Sequence, residues 1–520
     1  MSTITEGIGE VSSDTTDKKK TRETGLADLI EGIGVLRVSG PAHVRILSVA
    51  CDSRKVERGA LFFALPGEKA DGIRFVPDAI ARGALAIATS HSRPADIADE
   101  IAWVELGPGK ERRALALASA NYFDHPANAL KLVGVTGTNG KTTTTFLIDS
   151  ILRAAGFTAG LVGTTGYRTP RGSRAALNTT PESLDLQEMF AEVRDAGGTH
   201  AVLEASSHAL AMDRLSGCHF EVAVFTNLTR DHLDYHKTFE DYFAAKRRLF
   251  EGTGAGAPGV AVVNADDDYS TRLEGLARRT LSYGLTAAAD LTTKKLNLTF
   301  EGLEFTAQTP LGKIDIRSSL VGRINVYNIL AAIGAGIGLE IPVPQIAEGI
   351  AKLELVPGRF QSVDEGQPFL VIVDYAHTDD ALRNLIATAR ELNASGRIIT
   401  LFGAGGERDR TKRPLMGEAA GSLSDIVVLT SDNPRGEDPL RIINDVIVGL
   451  QKAKAEYRVE PDRDRALEIA LNEARAGDIV LLAGKGHETY QVLGDRTIEF
   501  DDREKARAIL RRKGFSKQGG

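Results

Sequence analysis

The chain has 520 residues, 42% of them hydrophobic and 26% charged, with a formal net charge of −7. That length exceeds what one hydrophobic core fills, so about three domains are expected, and the composition excludes disordered, collagen-like and membrane-embedded classes. The acidic balance argues against a nucleic-acid surface but leaves room for small anionic ligands held by a few Arg, Lys and backbone donors.

In chain order, residues 1–24 read as a disordered tail, because the first twenty are polar and hold no apolar stretch long enough for a signal peptide. The segment from Ile46 to about Ala88 mixes short strands and turns without a phosphate loop, and suggests a small α/β domain. The two cysteines, Cys51 and Cys218, are too few for a disulfide framework, which fits a reducing, cytoplasmic setting. A helical pattern over Arg112 to Tyr122 ends before a joint near Pro126. Beyond it, short Val/Ile/Leu runs, each followed by a Gly-, Asp- or Asn-rich loop and a helical pattern, read as buried parallel strands. They fall at Leu132 to Val135, Ala201 to Leu203, Val222 to Phe225 and Val260 to Val263, then at Leu370 to Val373, Ile398 to Phe402, Ile426 to Leu429 and Ile479 to Leu482. The longest apolar run, Ile329 to Leu339, is short and broken by glycine, so no membrane insertion is expected. Pro357-Gly358 marks a second joint. The expected domains are 25–127, 128–356 and 357–520. The fold class is α/β, with a central P-loop ATPase-like parallel sheet between a small N-terminal domain and a Rossmann-like C-terminal one.

Chemistry concentrates in the loops after these strands, where open α/β sheets bind ligands. Gly134-Val135-Thr136-Gly137-Thr138-Asn139-Gly140-Lys141-Thr142 lies between a strand and a helix running from about Lys141 to Arg153. Val135 replaces the first glycine of the strict phosphate-loop pattern. The chemistry is nevertheless complete: glycines turn backbone N–H groups toward phosphate oxygens, Lys141 adds a positive charge, and Thr142 is placed to hold Mg²⁺. This points to ATP. Glu204 and His232, beyond neighbouring strands, are spaced to approach the same Mg²⁺. In the last third, Arg408 and Arg435 present planar forks suited to a carboxylate, while Asp432 and Glu488 present acceptors for an ammonium, which together suggest an amino-acid pocket. By spacing alone Lys246 belongs to a solvated Lys246-Arg247-Arg248 helix face.

These motifs resemble the Mur ligase family, over a stretch from about Ser48 to Phe500: Gly-Thr-Asn-Gly-Lys-Thr-Thr at 137–143, Asn-Thr-Thr-Pro at 178–181, Glu-Ala-Ser-Ser-His-Ala-Leu at 204–210 and Asp-His-Leu-Asp-Tyr-His at 231–236. The resemblance implies ATP, Mg²⁺ and a three-domain monomer, with an N-terminal uridine-nucleotide domain. By that resemblance Gly137, Thr138, Asn139, Gly140, Lys141, Thr142 and Thr143 hold ATP phosphates, and Asn325, Arg359 and Asp374 grip its base, ribose or γ-phosphate. Ser53, within Asp52-Ser53-Arg54, and Glu68, Lys69 and Ala70 would meet the uridine nucleotide. Asn178, Thr179, Thr180, Ser206 and Arg214 would meet the muramoyl dipeptide. Lys246 matches a lysine that the family carbamylates to N6-carboxylysine, which makes it a fourth metal-site residue beside Thr142, Glu204 and His232, and Lys141, Glu204, His232 and Lys246 form the catalytic set.

The resemblance further implies UDP-MurNAc-L-Ala-D-Glu and meso-diaminopimelate as substrates, the latter at Arg408, Asp432, Asn433, Pro434, Arg435, Gly484 and Glu488. The Asp-Asn-Pro-Arg form of the 432–435 loop is typical of family members that take the diamino diacid. An L-lysine-adding homologue and a folylpolyglutamate synthetase are the alternatives. Met212 stands where related enzymes often carry Gln. Asp379 stands where they usually carry Pro, so a looser loop is expected there.

Overall fold

The computed structural model describes residues 23–67 and 70–516. Glu68, Lys69 and the tail through residue 22 lie outside the described residues. Thr24 pairs with Ile46 in a two-residue strand, so it belongs to the fold rather than to the expected tail. Packing divides the chain into units 1–122 and 123–520.

The first unit carries a five-stranded sheet in the order Val35–Ser39, Ala102–Leu106, Ala84–Thr89, Ala60–Phe63, Ser48–Ala50. The last four strands are parallel and the first is antiparallel to its neighbour. Its core is small and built around Phe62, Ile87 and Trp103, whose indole N–H donates to the His91 carbonyl at 2.9 Å. Asp52 caps a single 3₁₀ turn, Ser53–Lys55, and its carboxylate accepts both guanidinium arms of Arg54 at 2.9 and 2.7 Å. Arg54 holds the Asp52 carboxyl below its ordinary range.

The second unit holds two large sheets. The first runs Gly172–Arg174, Gly166–Thr169, Ala159–Gly163, His200–Glu204, Lys131–Thr136, Phe220–Phe225, Val260–Asn264, Arg279–Tyr283. From Ala159–Gly163 onward its strands are parallel. The second runs Gln361–Ser362, Leu370–Asp374, Ile479–Ala483, Ile398–Phe402, Ile426–Leu429, Tyr457–Val459, parallel except at the first edge. All eight expected strands are present, within a residue or two. They are apolar throughout because helices cover both faces, so neither side of the strand needs polar residues.

On one face of the first sheet, Leu147, Ile148 and Ile151 of helix Lys141–Ala154 pack against Ile329, Leu330 and Ile333 of helix Arg323–Gly338 and Ile346 and Ile350 of helix Val343–Lys352. The Ile329 to Leu339 run is therefore a buried core helix, and no described helix is long and apolar enough to cross a membrane. A Cβ on Gly349 would stand 2.4 Å from Ile151 Cα, so glycine is what permits that helix crossing. An antiparallel meander, Thr292–Thr299, Gly302–Thr309 and Gly312–Ser318, lies between the two sheets in sequence and was not expected.

Candidate active site

The loop after Lys131–Thr136 turns on two glycines in the left-handed half of backbone space, Gly137 at φ 143° and Gly140 at φ 87°. A Cβ would come within 1.8 Å of Thr226 Oγ1 at the first and 2.5 Å of Asn328 Oδ1 at the second. Glycine is therefore imposed by both conformation and space. Gly140 precedes helix Lys141–Ala154 with no side-chain cap, which leaves its first amides for a ligand. Lys141 Nζ folds back onto the carbonyls of Gly137 at 3.0 Å and Thr138 at 2.9 Å. Burial depresses its pKa, against the opposing pull of Glu204 and Asp231.

Glu204 ends its strand only 1% exposed, and its carboxylate is fully engaged. Oε1 accepts from Thr142 Oγ1 at 3.0 Å and from the Thr164 amide at 2.8 Å, and Oε2 accepts from Thr164 Oγ1 at 3.1 Å. Space for it comes from Gly163, where a Cβ would lie 2.4 Å from Glu204 Oε1. Thr164 was missed by sequence reasoning because the Gly-containing strand before it, Ala159–Gly163, was not read; the strand-end rule would have found it. Thr164 Oγ1 lies 3.1 Å from Thr179 Oγ1, Thr180 Oγ1 donates to Glu204 O at 2.6 Å, and Arg214 donates to Thr180 O at 2.8 Å. Ser206 caps the turn Ser207–Ala211, and Asn178 is tied to Tyr167 through both its N–H and its carbonyl. The expected dipeptide residues thus form one bonded strip beside Glu204. Met212 closes that turn, its amide donating to His208 O at 2.8 Å.

Lys246 overturns the spacing argument, being 1% exposed rather than solvated. It sits on the inner face of helix Phe239–Glu251, whose first turn Thr238 caps. Its Nζ donates to the Gly137 carbonyl at 2.7 Å and lies 4.3 Å above the Tyr242 ring. Two lysines thus share one carbonyl. Burial and the neighbouring Lys141 push the Lys246 pKa well below that of an ordinary lysine. His232 lies beside them at φ 54°, with Nε2 3.4 Å from Asp231 Oδ2. Burial, His208, Lys246 and Lys141 push its pKa down to about 3 despite Asp231, so its imidazole is neutral at pH 7. Asp231 itself is held low against its burial by His232, Lys412 and His377.

Among the described residues no three His, Cys, Asp or Glu side chains converge on a metal position. Thr142 and Glu204 fit a hard cation that keeps waters and phosphate oxygens as further ligands. Lys246 as an ammonium does not fit one; as a carbamate it would.

Lys141, Thr142, Thr164, Glu204, Asp231 and His232 line a cavity of ≈ 230 Å³ together with Asn325, Arg359, Asp374 and His377, while Lys246 lies outside that lining. The lining includes apolar Val321, Ile324 and Leu385 as well as the phosphate loop. Arg359 reaches across to donate to Thr142 Oγ1 at 3.0 Å and lies 4.7 Å over Tyr375. Asp374 accepts from the amides of Phe360 at 2.7 Å and Ala376 at 2.8 Å, and burial raises its pKa in spite of Arg359. Asn325 bonds Val321 O at 2.7 Å and accepts from Asn328 at 2.9 Å. The looser loop expected at Asp379 is not found: Thr378 caps helix Asp379–Leu392, and Asp380 accepts from Asn139 of the phosphate loop at 2.7 Å.

The second sheet's loops dovetail. Gly406 N donates to Asn433 O at 2.9 Å, and a Cβ on Gly406 would stand 1.9 Å from Pro434 O. Arg435, at φ 52°, donates to Gly406 O at 2.7 Å and pairs with no carboxylate among the described residues. Arg408 is exposed. Asp432 and Glu488 are not simply open acceptors as expected: Lys485 stands between them, its Nζ 3.6 Å from Asp432 Oδ1 and 3.4 Å from Glu488 Oε2. Gly484, before it, takes φ 109°.

Fold and site together define an α/β nucleotide-phosphate-binding enzyme with a glycine loop facing a second parallel sheet. The Mur ligase middle domain matches residues 135–336, the Mur ligase glutamate ligase domain 358–486, and the catalytic domain of the Mur ligase family 45–120. UDP-N-acetylmuramoyl-L-alanyl-D-glutamate–2,6-diaminopimelate ligase of Solibacter usitatus is 54% identical over 493 residues, covering 94% of this chain and 99% of that one. A solved structure of UDP-N-acetylmuramoyl-L-alanyl-D-glutamate–2,6-diaminopimelate ligase is similar at TM-score 0.65 and 33% identity, covering 95% of this chain and 100% of that one. MurF ligase from Thermotoga maritima in complex with ADP shares the fold, with TM-score 0.61 and 20% identity over 90% of this chain and 97% of its own. The chain belongs to the Mur ligase family of ATP-dependent, amide-forming acid–amino-acid ligases.

Proposed function

We propose that this chain joins meso-2,6-diaminopimelate to the D-Glu γ-carboxylate of UDP-MurNAc-L-Ala-D-Glu, at the expense of ATP, in peptidoglycan precursor synthesis. Its 54% identity with a relative named for that reaction, over 94% of the chain, carries the reading. The unpaired Arg435 beside the negative Asp432–Lys485–Glu488 group supports it, because the diamino diacid differs from L-lysine by one carboxylate. A site built for that group rejects the analogue lacking it by roughly four to five decades in favourable cases. The same loop argues against a lysine-adding homologue, and the relative's identity against a folylpolyglutamate synthetase.

In this reading the γ-carboxylate attacks the ATP γ-phosphorus, ADP leaves, and the acyl phosphate is attacked by the diaminopimelate amine, releasing phosphate. The bare amides of Gly140 to Thr143 and the Lys141 ammonium hold the phosphates, Arg359 approaches the γ-phosphate, and Val321, Ile324 and Leu385 with Asn325 and Asp374 take base and ribose. The strip Asn178-Thr179-Thr180, Ser206 and Arg214 orients the dipeptide. Thr142, Glu204, His232 and a carbamylated Lys246 would surround Mg²⁺, which supplies charge neutralisation when bound. Lys246 suits carbamylation because its depressed pKa leaves a neutral amine to attack CO₂, with loss of one proton. In the N-terminal unit, Ser53 and Ala70, with Glu68 and Lys69, take the uridine nucleotide. The domains are then 25–127, 128–356 and 357–520, acting as a cytoplasmic monomer.

The test is phosphate release from ATP and Mg²⁺. It should require both the UDP-dipeptide and diaminopimelate, and heavy oxygen placed in the γ-carboxylate should appear in the released phosphate. Sustained, multiple-turnover phosphate release without the amino acid, or unlabelled phosphate, would overturn the scheme.

A further inference from the structure

Lys485 is 0% exposed, yet it ends among polar groups from three separate segments. Its Nζ donates to Tyr490 O at 2.6 Å, to Asn433 Oδ1 at 3.3 Å and to Glu488 Oε2 at 3.4 Å, with Asp432 Oδ1 at 3.6 Å. Asn433 in turn donates to Glu488 Oε2 at 3.0 Å and accepts from the Val492 amide at 3.0 Å. The two acidic loops and the hairpin Tyr490–Leu493/Arg496–Glu499 are thus joined through one ammonium. The other buried cation behind these loops, Arg463, is already paired with Asp502 at 2.6 Å, both being 0% exposed, and its remaining N–H groups bond Ser431 O and Ala483 O. It braces the backbone but is neutralised locally.

We propose that Lys485 is a positioning residue for the amino-acid substrate: an internal counter-ion set between Asp432 and Glu488 that offsets one of their two charges, so the pocket presents one net negative charge to one substrate ammonium. This rests on the amino-acid pocket proposed above.

The charge arithmetic is simple. Two carboxylates against one ammonium leave a single negative charge, matched to a single amine. Burial raises the pKa of Glu488, and Asp432 raises it further, while Lys485 and Asn433 oppose them. The groups facing Glu488 are Asp432, Lys485, Asn433, Arg463, Tyr375 and Tyr490. Without Lys485 its opposing pull is lost, so burial and Asp432 raise the Glu488 pKa further and weaken it as an anionic acceptor. The substrate amine would then meet a pocket whose charge depends on pH.

The measurement is the pH profile of the KM for meso-diaminopimelate in Lys485→Met, with ADP affinity as the control for folding. The acid limb, where KM rises as pH falls, should move up by about one pH unit or more, and KM at pH 7 should rise about tenfold or more, because a buried charge pair has been broken. Lys485→Arg should restore part of the profile. Glu488→Gln in the otherwise unchanged protein should remove the acid limb, which keeps the idea testable if Lys485→Met does not fold. A KM raised equally at every pH, or an acid limb that persists in Glu488→Gln, would overturn the proposal. If Arg435→Ala also left KM unchanged, the pocket reading itself would fall; an Arg435 effect with an unmoved Lys485→Met profile would sink only the role of Lys485.

Discussion

At the residue scale, the fate of each charged group is decided by what else it has to pair with. Arg435 is held by backbone carbonyls alone, so its guanidinium keeps capacity for a ligand carboxylate. Arg435→Ala is expected to raise the KM for diaminopimelate about a hundredfold, while leaving ADP affinity within about twofold, as truncating one partner of a buried charge pair costs roughly 2–5 kcal/mol. Steady-state kinetics with calorimetry of ADP binding checks both halves. Lys246 makes the opposite case, an amine with only a carbonyl and a ring for company. Native mass spectrometry at neutral pH should show one added CO₂ that Lys246→Ala lacks, and that variant's lost activity should return in part when a short carboxylate is supplied. An unmodified, active wild-type protein would rule the carbamate out. Neither lysine's placement was legible from spacing; only the family resemblance put Lys246 at the metal site. Lys246 sits in a run of three cations, and Lys485 between two loop glycines; only the three-dimensional path of helix and loop turns them inward.

At the scale of elements, the parallel strands were legible because burial on both faces makes them unbroken apolar runs, and the loops after them carry the polar clusters. Ala159–Gly163 escaped because its two glycines, of which Gly163 makes room for Glu204, weaken the strand signal. The meander escaped because its strands are half exposed and rich in Thr and Lys, as Gly312–Ser318 shows with its alternating burial. Glycine also fixes the phosphate loop. Gly137→Ala should abolish ATP binding even if the protein folds, since its Cβ would stand 1.8 Å from Thr226 Oγ1 and 3.0 Å from the Asn227 amide. Retained ADP affinity in that variant would mean the loop is not the phosphate cradle. Thr378 caps helix Asp379–Leu392 where relatives were expected to rely on proline, so Thr378→Ala should lower unfolding stability by about 1 kcal/mol, read from urea melts.

At the scale of the whole molecule, buried histidines tie stability to pH. Burial pushes His200, His236, His377 and His487 down to about 4 and His232 to about 3, each below the roughly 6.5 of an unfolded chain. Below that value the unfolded state binds more protons, so stability is fully present above about pH 6.5 and is lost as pH falls toward about 4. Urea unfolding at pH 7.5 and at about pH 5 should show the drop, and His200→Gln, remote from the loops, should shrink it; a flat profile would contradict the burial of these rings. Within the second unit the two sheets meet at named groups: Asn139 with Asp380, Arg230 with Thr411 at 2.7 Å, and Lys412 with Asp231 at 3.6 Å. Through them the nucleotide loop and the proposed amino-acid loops share one framework, which suits a reaction that must pass an acyl group from one to the other without water.

The most direct test of the central claim offers the purified protein ATP, Mg²⁺, UDP-MurNAc-L-Ala-D-Glu and an equimolar mixture of meso-diaminopimelate and L-lysine, and weighs the uridine-linked product by mass spectrometry. The account predicts the diaminopimelate tripeptide with no detectable lysine product; comparable amounts of the two, or the lysine product alone, would contradict it.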